Sequence, residues 1–249
     1  MDARRPLALL SDLALFLFPP RCLSCGSLGP GDLRLCEGCA ARVAPVPRPR
    51  CGRCALPVAP RTRAPERRLR CASCRRRPPP QARAVAGASY EGIVRDLVLA
   101  LKFGGDRLAA LPLSALVVAA LREATDRPAA RASGVVAVPL SRVRRLKRGF
   151  DQAEAIARAV ARGVGLPFVR GALARVRETR PQSGLPTKDA RRENVRGAFL
   201  ARGVAGARIV LVDDVMTTGA TAEAAARALR SAGAVEVILA VAGRTLEDE

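Results

Sequence analysis

Thirteen residues near the carboxyl end hold the densest chemistry in the chain: Ile209-Val-Leu-Val-Asp-Asp-Val-Met-Thr-Thr-Gly-Ala-Thr221. The four apolar residues read as a buried strand that delivers two adjacent carboxylates, Asp213 and Asp214, to its carboxyl edge. Thr217, Thr218, Gly219, Ala220 and Thr221 then turn into a helix. Backbone N–H groups at such a helix start, with three hydroxyls around them, form a cup for a phosphate. The carboxylates repel an anion, so they cannot serve that same phosphate. They suit ribose hydroxyls, or a hydrated magnesium, a few ångströms away. A phosphate cup beside a diol-binding acidic pair describes a ribose 5-phosphate site. The Gly-Lys-Ser/Thr of a Walker A loop is absent, as is the glycine spacing of a dinucleotide fingerprint. An ordinary strand-turn-helix needs one capping threonine and no paired acids.

The second constellation is cysteine. Cys22/Cys25, Cys36/Cys39, Cys51/Cys54 and Cys71/Cys74 form four Cys-x-x-Cys pairs separated by 10, 11 and 16 residues. Two thiolates two residues apart grip one face of a tetrahedral zinc, and a second pair closes the site. Four pairs therefore specify two structural Zn2+ sites. Pairing first with second and third with fourth is the simplest arrangement; cross-bracing fits the spacing too. Disulfides belong to exported chains, and redox chemistry needs one such pair rather than four.

These groups need a scaffold, and the sequence supplies one. Ala84–Tyr90, Val135–Val138, Ile209–Val212 and Val235–Val241 read as strands. Ile93, Val94, Leu97, Val98 and Leu101 share one face of a helix, and Leu108–Glu123, Gln152–Arg162 and Ala220–Ser231 read as further helices, with Asp151 as an N-cap. Short all-apolar strands alternating with helices indicate an α/β fold with a parallel sheet covered on both faces. Ligands bind such sheets at the carboxyl ends of their strands. Arg75-Arg-Arg-Pro-Pro-Pro80 marks a boundary, giving a cysteine-rich module over 22–80 and a sheet domain over 81–249. The knuckles carry little apolar core of their own, so residues 22–74 are expected to unfold on zinc loss while the sheet domain stays largely intact.

Composition narrows the classes further. The chain has 249 residues, 43 Lys+Arg against 22 Asp+Glu, and a formal charge of +21. No histidine is present, which removes His bases and His metal ligands. Aromatic residues make up 3%, too few for a surface that stacks many bases. The first 80 residues carry 16 basic and 5 acidic side chains. This suits a polyanionic partner, with Arg61, Arg63, Arg67, Arg68, Arg70, Arg75, Arg76 and Arg77 as its contacts. Alternatively it is the imprint of a GC-rich coding sequence, since only Lys102, Lys147 and Lys188 are lysines. No apolar run is long enough to span a bilayer. Leu7–Phe18 resembles a signal peptide, but Asp12 interrupts it and no small-x-small cleavage site precedes Cys22. Leu9, Leu10, Leu13, Phe16 and Leu17 instead keep helical spacing up to Pro19-Pro20. The expectation is an amphipathic N-terminal helix within 1–21, a cytoplasmic chain and no membrane insertion.

The thirteen-residue segment resembles the phosphoribosyl pyrophosphate (PRPP) signature of type I phosphoribosyltransferases at every position. The likeness extends to Tyr90–Gly105, Arg148-Gly-Phe-Asp-Gln152, Thr179-Arg-Pro-Gln182 and Arg191–Phe199, which look like the ComF family. That family joins a double zinc-ribbon module to a phosphoribosyltransferase-like domain. One departure is Asp151, where the family usually has Asn. The resemblance implies PRPP or ribose 5-phosphate as ligand, Mg2+ bound with PRPP, and Asp213 and Asp214 as the catalytic acids. It places the pyrophosphate loop at Leu140, Ser141 and Arg142, after the strand at Val135, with Arg144 and Arg145 nearby; the same stretch also reads as a basic surface turn. Lys102 either reaches the same pyrophosphate or serves as a helix C-terminal charge. Arg177–Asn194 is rich in polar residues, Pro and Gly; it reads either as a lid carrying Arg180, Gln182, Arg191 and Asn194 or as a surface loop with a short helix at Lys188–Asn194.

Two functions compete. One is phosphoribosyl transfer to an unidentified acceptor, for which no base-reading hood is legible. The other is a DNA-uptake (competence) role, implied by the resemblance, with a non-catalytic transferase fold, single-stranded DNA and other DNA-uptake proteins as partners.

Overall fold

The computed structural model describes residues 19–29, 34–59, 64–124, 128–180 and 184–246. The helix expected at Leu7–Phe18, and the site candidate Gln182, lie outside the described residues. Six strands are described: β1 (Arg83–Ser89), β2 (Gly134–Ala137), β3 (Leu173–Arg175), β4 (Phe199–Ala201), β5 (Arg208–Met216) and β6 (Glu236–Arg244). β1, β6, β5 and β2 lie in that order in a wholly parallel sheet. Val210, Leu211 and Val212 at its centre are fully buried, because helices or other elements cover both faces. Leu211→Ala there would cost about 2–5 kcal/mol.

Eight α-helices are described: α1 (Glu37–Ala41), α2 (Ala72–Arg76), α3 (Gly92–Phe103), α4 (Ala110–Glu123), α5 (Arg142–Arg148), α6 (Gln152–Val164), α7 (Lys188–Asn194) and α8 (Ala220–Ser231). α3 buries the five residues its spacing selects, from Ile93 to Leu101. It packs with α4 and α6 on one face of the sheet. On the other face lie α8, through Ala222, Ala225, Ala226 and Leu229, and the β3–β4 pair. Asp151 caps α6 by accepting the Glu154 N–H at 3.2 Å. The helix expected from Leu108 begins as a 3-10 turn, Arg107–Ala109, because Asp106 Oδ1 accepts the Leu108 N–H at 2.9 Å.

The cysteine-rich module is less separable than its sequence suggests. Cys22 and Cys39 join the core beneath α3, α4 and α6. Cys51, Cys54, Ala55, Leu56 and Cys74 join the core on the opposite face, with Met216 and Val241. The module also covers the edge of the sheet that β1 would otherwise expose. Ala84 N–H donates to Gly52 O at 3.1 Å, and Ser89 N–H to Ala44 O at 2.9 Å. Gly52 has no room for a side chain, since a Cβ there would sit 2.5 Å from Arg67 O.

Candidate functional site

β5 runs four residues beyond the stretch expected from its apolar core, so both acids sit inside its carboxyl end. Alternation along the strand then sends the two carboxylates to opposite faces. Asp214, buried at 5% exposure, turns toward α3, where Lys102 Nζ lies 3.1 Å from its Oδ2. Asp213 turns to the side of β3, where Arg175 stands. Each carboxylate also accepts the following backbone N–H, Asp214 N–H at 2.9 Å and Val215 N–H at 2.6 Å. Burial, then the neighbouring Asp214 carboxylate, push the Asp213 carboxyl well above its ordinary value, and Lys102 pulls it partly back. One oxygen of each carboxylate is engaged by a backbone N–H, and two acids this close fit a sugar diol or a hydrated cation.

The turn that follows is built for close approach. Gly219 has φ +83°, and a Cβ on it would meet Met216 Cε at 2.7 Å. The positive φ favours glycine there, and a side chain would also displace the end of Met216. Thr217 is exposed and Thr218 half-buried, with the α8 N-terminus directly behind them.

Asp213, Asp214 and Thr217–Thr221 line one cavity of about 970 Å³ together with Lys102, Leu140 and Arg191. The structure thus gathers most of the residues selected from the sequence. Ser141 instead caps α5 through the Arg144 N–H at 3.4 Å, and Arg142 lines an adjoining cavity of about 340 Å³ with Leu140. The Leu140 N–H donates to Asp151 Oδ2 at 2.8 Å, so the acid at position 151 ties the loop after β2 to the start of α6. Burial raises the Asp151 carboxyl, against the two backbone N–H groups it accepts and nearby Arg145.

Sequence reasoning missed part of the lining. Tyr90, Phe103, Lys147, Arg148, Phe150, Gln152 and Arg175 face the main cavity alongside Arg144, which was expected near the pyrophosphate loop. Arg148, Phe150 and Gln152 belong to the Arg-Gly-Phe-Asp-Gln stretch already singled out, so a signal existed for them. Phe103 is 74% exposed, with the Arg148 guanidinium 5.2 Å from its ring centre. Arg175 had no signal, because β3 is only three residues long.

The segment from Arg177 to Asn194 stands on an antiparallel stem, β3 with β4. Asn194 closes it, with Oδ1 accepting the Arg180 N–H at 3.1 Å and Nδ2 donating to Arg180 O at 2.9 Å. Arg191 Nε donates to Leu185 O at 3.0 Å while the residue lines the cavity. Arg180 lines none of the described cavities, and α7 occupies the residues expected for the short helix.

The eight cysteines assemble into two groups, Cys22/Cys25/Cys36/Cys39 and Cys51/Cys54/Cys71/Cys74, each with its sulfurs within 4.8 Å of one another. This is the consecutive pairing. Hydrogen bonds from Cys54, Cys71 and Cys74 lower the Cys51 thiol, whereas those from Cys51, Cys54 and Cys71 raise Cys74. Both groups fit a structural zinc with four sulfur ligands. Among the described residues no helix is long and apolar enough to cross a membrane.

Comparison with known proteins agrees with both halves. Residues 13–75 match the double zinc ribbon domain model, and residues 146–248 the phosphoribosyl transferase domain model. DNA utilization protein YhgH of Escherichia coli O157:H7 is 32% identical over 218 residues, covering 87% of this chain and 92% of that protein. Competence protein F of Haemophilus influenzae is 28% identical over 223 residues, covering 87% and 93%. DNA utilization protein YhgH of Salmonella typhi is 33% identical over 200 residues, covering 79% and 84%.

Proposed function

The chain belongs to the ComF/YhgH family, in which a double zinc ribbon precedes a phosphoribosyltransferase domain, and from this we propose that its main cavity binds PRPP or ribose 5-phosphate. One observation carries the reading: the acidic pair, the threonine turn and a wall of cations line a single cavity at the carboxyl edge of a parallel sheet. The backbone N–H groups at the start of α8 and the hydroxyls of Thr217, Thr218 and Thr221 take the 5-phosphate. Asp213 and Asp214 accept hydrogen bonds from the ribose hydroxyls. Lys102, Arg144, Arg148, Arg175 and Arg191 offset the charge of the pyrophosphate. Asp213 and Asp214 would also hold a magnesium ion, which would supply further charge compensation for the pyrophosphate.

Transfer breaks the C1–O bond to pyrophosphate as the acceptor bonds to C1, through an oxocarbenium-like state. No covalent nucleophile is required, so the lack of histidine is no obstacle. Residues Arg177–Asn194 serve as the lid that excludes water from that cation. Calorimetry with PRPP and magnesium tests the binding, and a screen of bases for pyrophosphate release tests turnover. No heat with either PRPP or ribose 5-phosphate sinks this reading.

A second reading is service in DNA uptake with single-stranded DNA as partner. It is favoured by the relatives' names and by the exposed Arg67, Arg68, Arg75, Arg76 and Arg77 of the zinc module.

A further inference from the structure

Arg244, the last residue of β6, is 2% exposed and lies between two sites that the chain places far apart in sequence. Its Nε donates to the carbonyl of Cys54 at 2.9 Å. Its Nη1 donates to the carbonyls of Met216 at 2.9 Å and Thr217 at 2.7 Å. Cys54 is a ligand of the second four-cysteine site, and its Sγ lies 3.6 Å from that of Cys71. Met216 and Thr217 open the threonine turn, and the Met216 side chain supports Gly219 from below. A single planar guanidinium therefore joins the backbone of a zinc knuckle to the backbone of the phosphate turn.

The bonds to Cys54 and Met216 are buried, so each is worth more than a surface contact, and loss of the donor strands those two carbonyls without water. Guanidinium geometry matters here. Its donors diverge in one plane and reach both partners at once, whereas a lysine ammonium has a single point of attachment. Nothing in transfer chemistry requires such an arginine beneath the turn, and it does not line the main cavity.

We propose that the second zinc site is a structural latch for the sugar-phosphate turn, and that Arg244 is the positioning residue through which the two are coupled. Zinc at Cys51, Cys54, Cys71 and Cys74 fixes the Cys54 carbonyl, Arg244 is held by it, and the Met216–Gly219 backbone is kept in its ligand-ready shape. Coupling is reciprocal, so a ligand on the turn must retain zinc in this site and not in the other. The ligand arm of this inference rests on the sugar-phosphate reading; the zinc arm does not.

The test uses the full chain loaded with zinc. Deuterium exchange is read over 213–222, and zinc release to a chelator is followed site by site through alkylation of each cysteine pair. R244K and R244Q are expected to raise exchange in the turn and to speed release from the second site about fivefold or more. Release from the first site and exchange in β2 should stay as in the wild type. PRPP with magnesium should slow second-site release in the wild type and leave R244K unaffected. Wild-type exchange and release rates in R244K would overturn the latch. So would loosening of every element together, which makes Arg244 a general core residue. If PRPP gives no heat with the wild type, the sugar-phosphate reading fails, and the exchange and release rates still decide the latch.

Discussion

Lys102 Nζ stands 3.1 Å from Asp214 Oδ2, and this ion pair ties the last turn of α3 to the carboxyl end of β5. Both side chains are largely withdrawn from water, at 21% and 7% exposure, so the pair is screened less than a surface bridge. Lys102 also draws the Asp213 carboxyl back from the height to which burial and Asp214 push it. Lys102→Gln should therefore raise Asp213 further. Ribose hydroxyls donate to ionised carboxylates, so PRPP affinity in the variant should fail at a higher pH than in the wild type and recover on the alkaline side. Calorimetric titration across pH measures this. An equal loss of affinity at every pH would mean that Lys102 acts by touching the ligand directly.

The acids themselves should show a trade between stability and binding. Asp213 has a folded-state pKa above its unfolded value, so the native state holds the proton more tightly. Stability therefore falls as pH rises between the two values, and the full penalty applies above the folded one. Asp213→Asn removes it and should raise Tm at pH values where the wild-type acid is ionised, with the gain vanishing below the unfolded carboxylate value. Replacing both Asp213 and Asp214 by Asn should weaken PRPP binding by about 2–3 kcal/mol. Wild-type affinity in the double variant rules out the ribose assignment.

Metal analysis should return two zinc ions per chain. Stripping them should lower the melting of the whole protein in one cooperative step, because Cys54, Ala55 and Leu56 share a core with Met216 and Val241, and Cys22 and Cys39 share one with α3. Calorimetric scanning with and without chelator decides this. A sheet domain that melts unchanged after chelation would restore the picture of an independent module. Four disulfides and no metal by mass would overturn the zinc assignment itself.

The sheet was legible because its strands are runs of apolar residues buried on both faces, as at Ile209–Val212, and their period needs no tertiary context. The threonine turn was legible because three hydroxyls and two acids have no bland reason to be adjacent. What lay hidden depended on contact across the chain. The β3–β4 stem has three-residue strands, below the length at which alternation can be read. Arg175 owes its place to that stem, and Arg244 to a carbonyl 190 residues away. The joint core of zinc module and sheet was equally invisible, since Ala55 and Leu56 look like linker residues until the fold gathers them into one buried cluster with Met216.

The nucleic-acid reading is decided by where the positive charge acts. Arg67, Arg68, Arg75, Arg76 and Arg77 are exposed on the zinc module, while Arg61 and Arg63 lie outside the described residues. Because the module shares its core with the sheet, the test belongs in the full chain. Arginines that pair with phosphates release counterions, so affinity for single-stranded DNA should fall steeply with salt and vary little with sequence. Changing the five exposed module arginines to serine should flatten the salt dependence by about 0.7 in log–log slope for each phosphate left without its arginine. The control removes the same charge elsewhere, at exposed Arg95, Arg131, Arg162, Arg202 and Arg227. A charge that merely reflects an arginine-rich composition responds alike to both sets. A partner surface responds to the first set alone, and equal slopes in the two variants would remove the zinc module from any role in holding DNA.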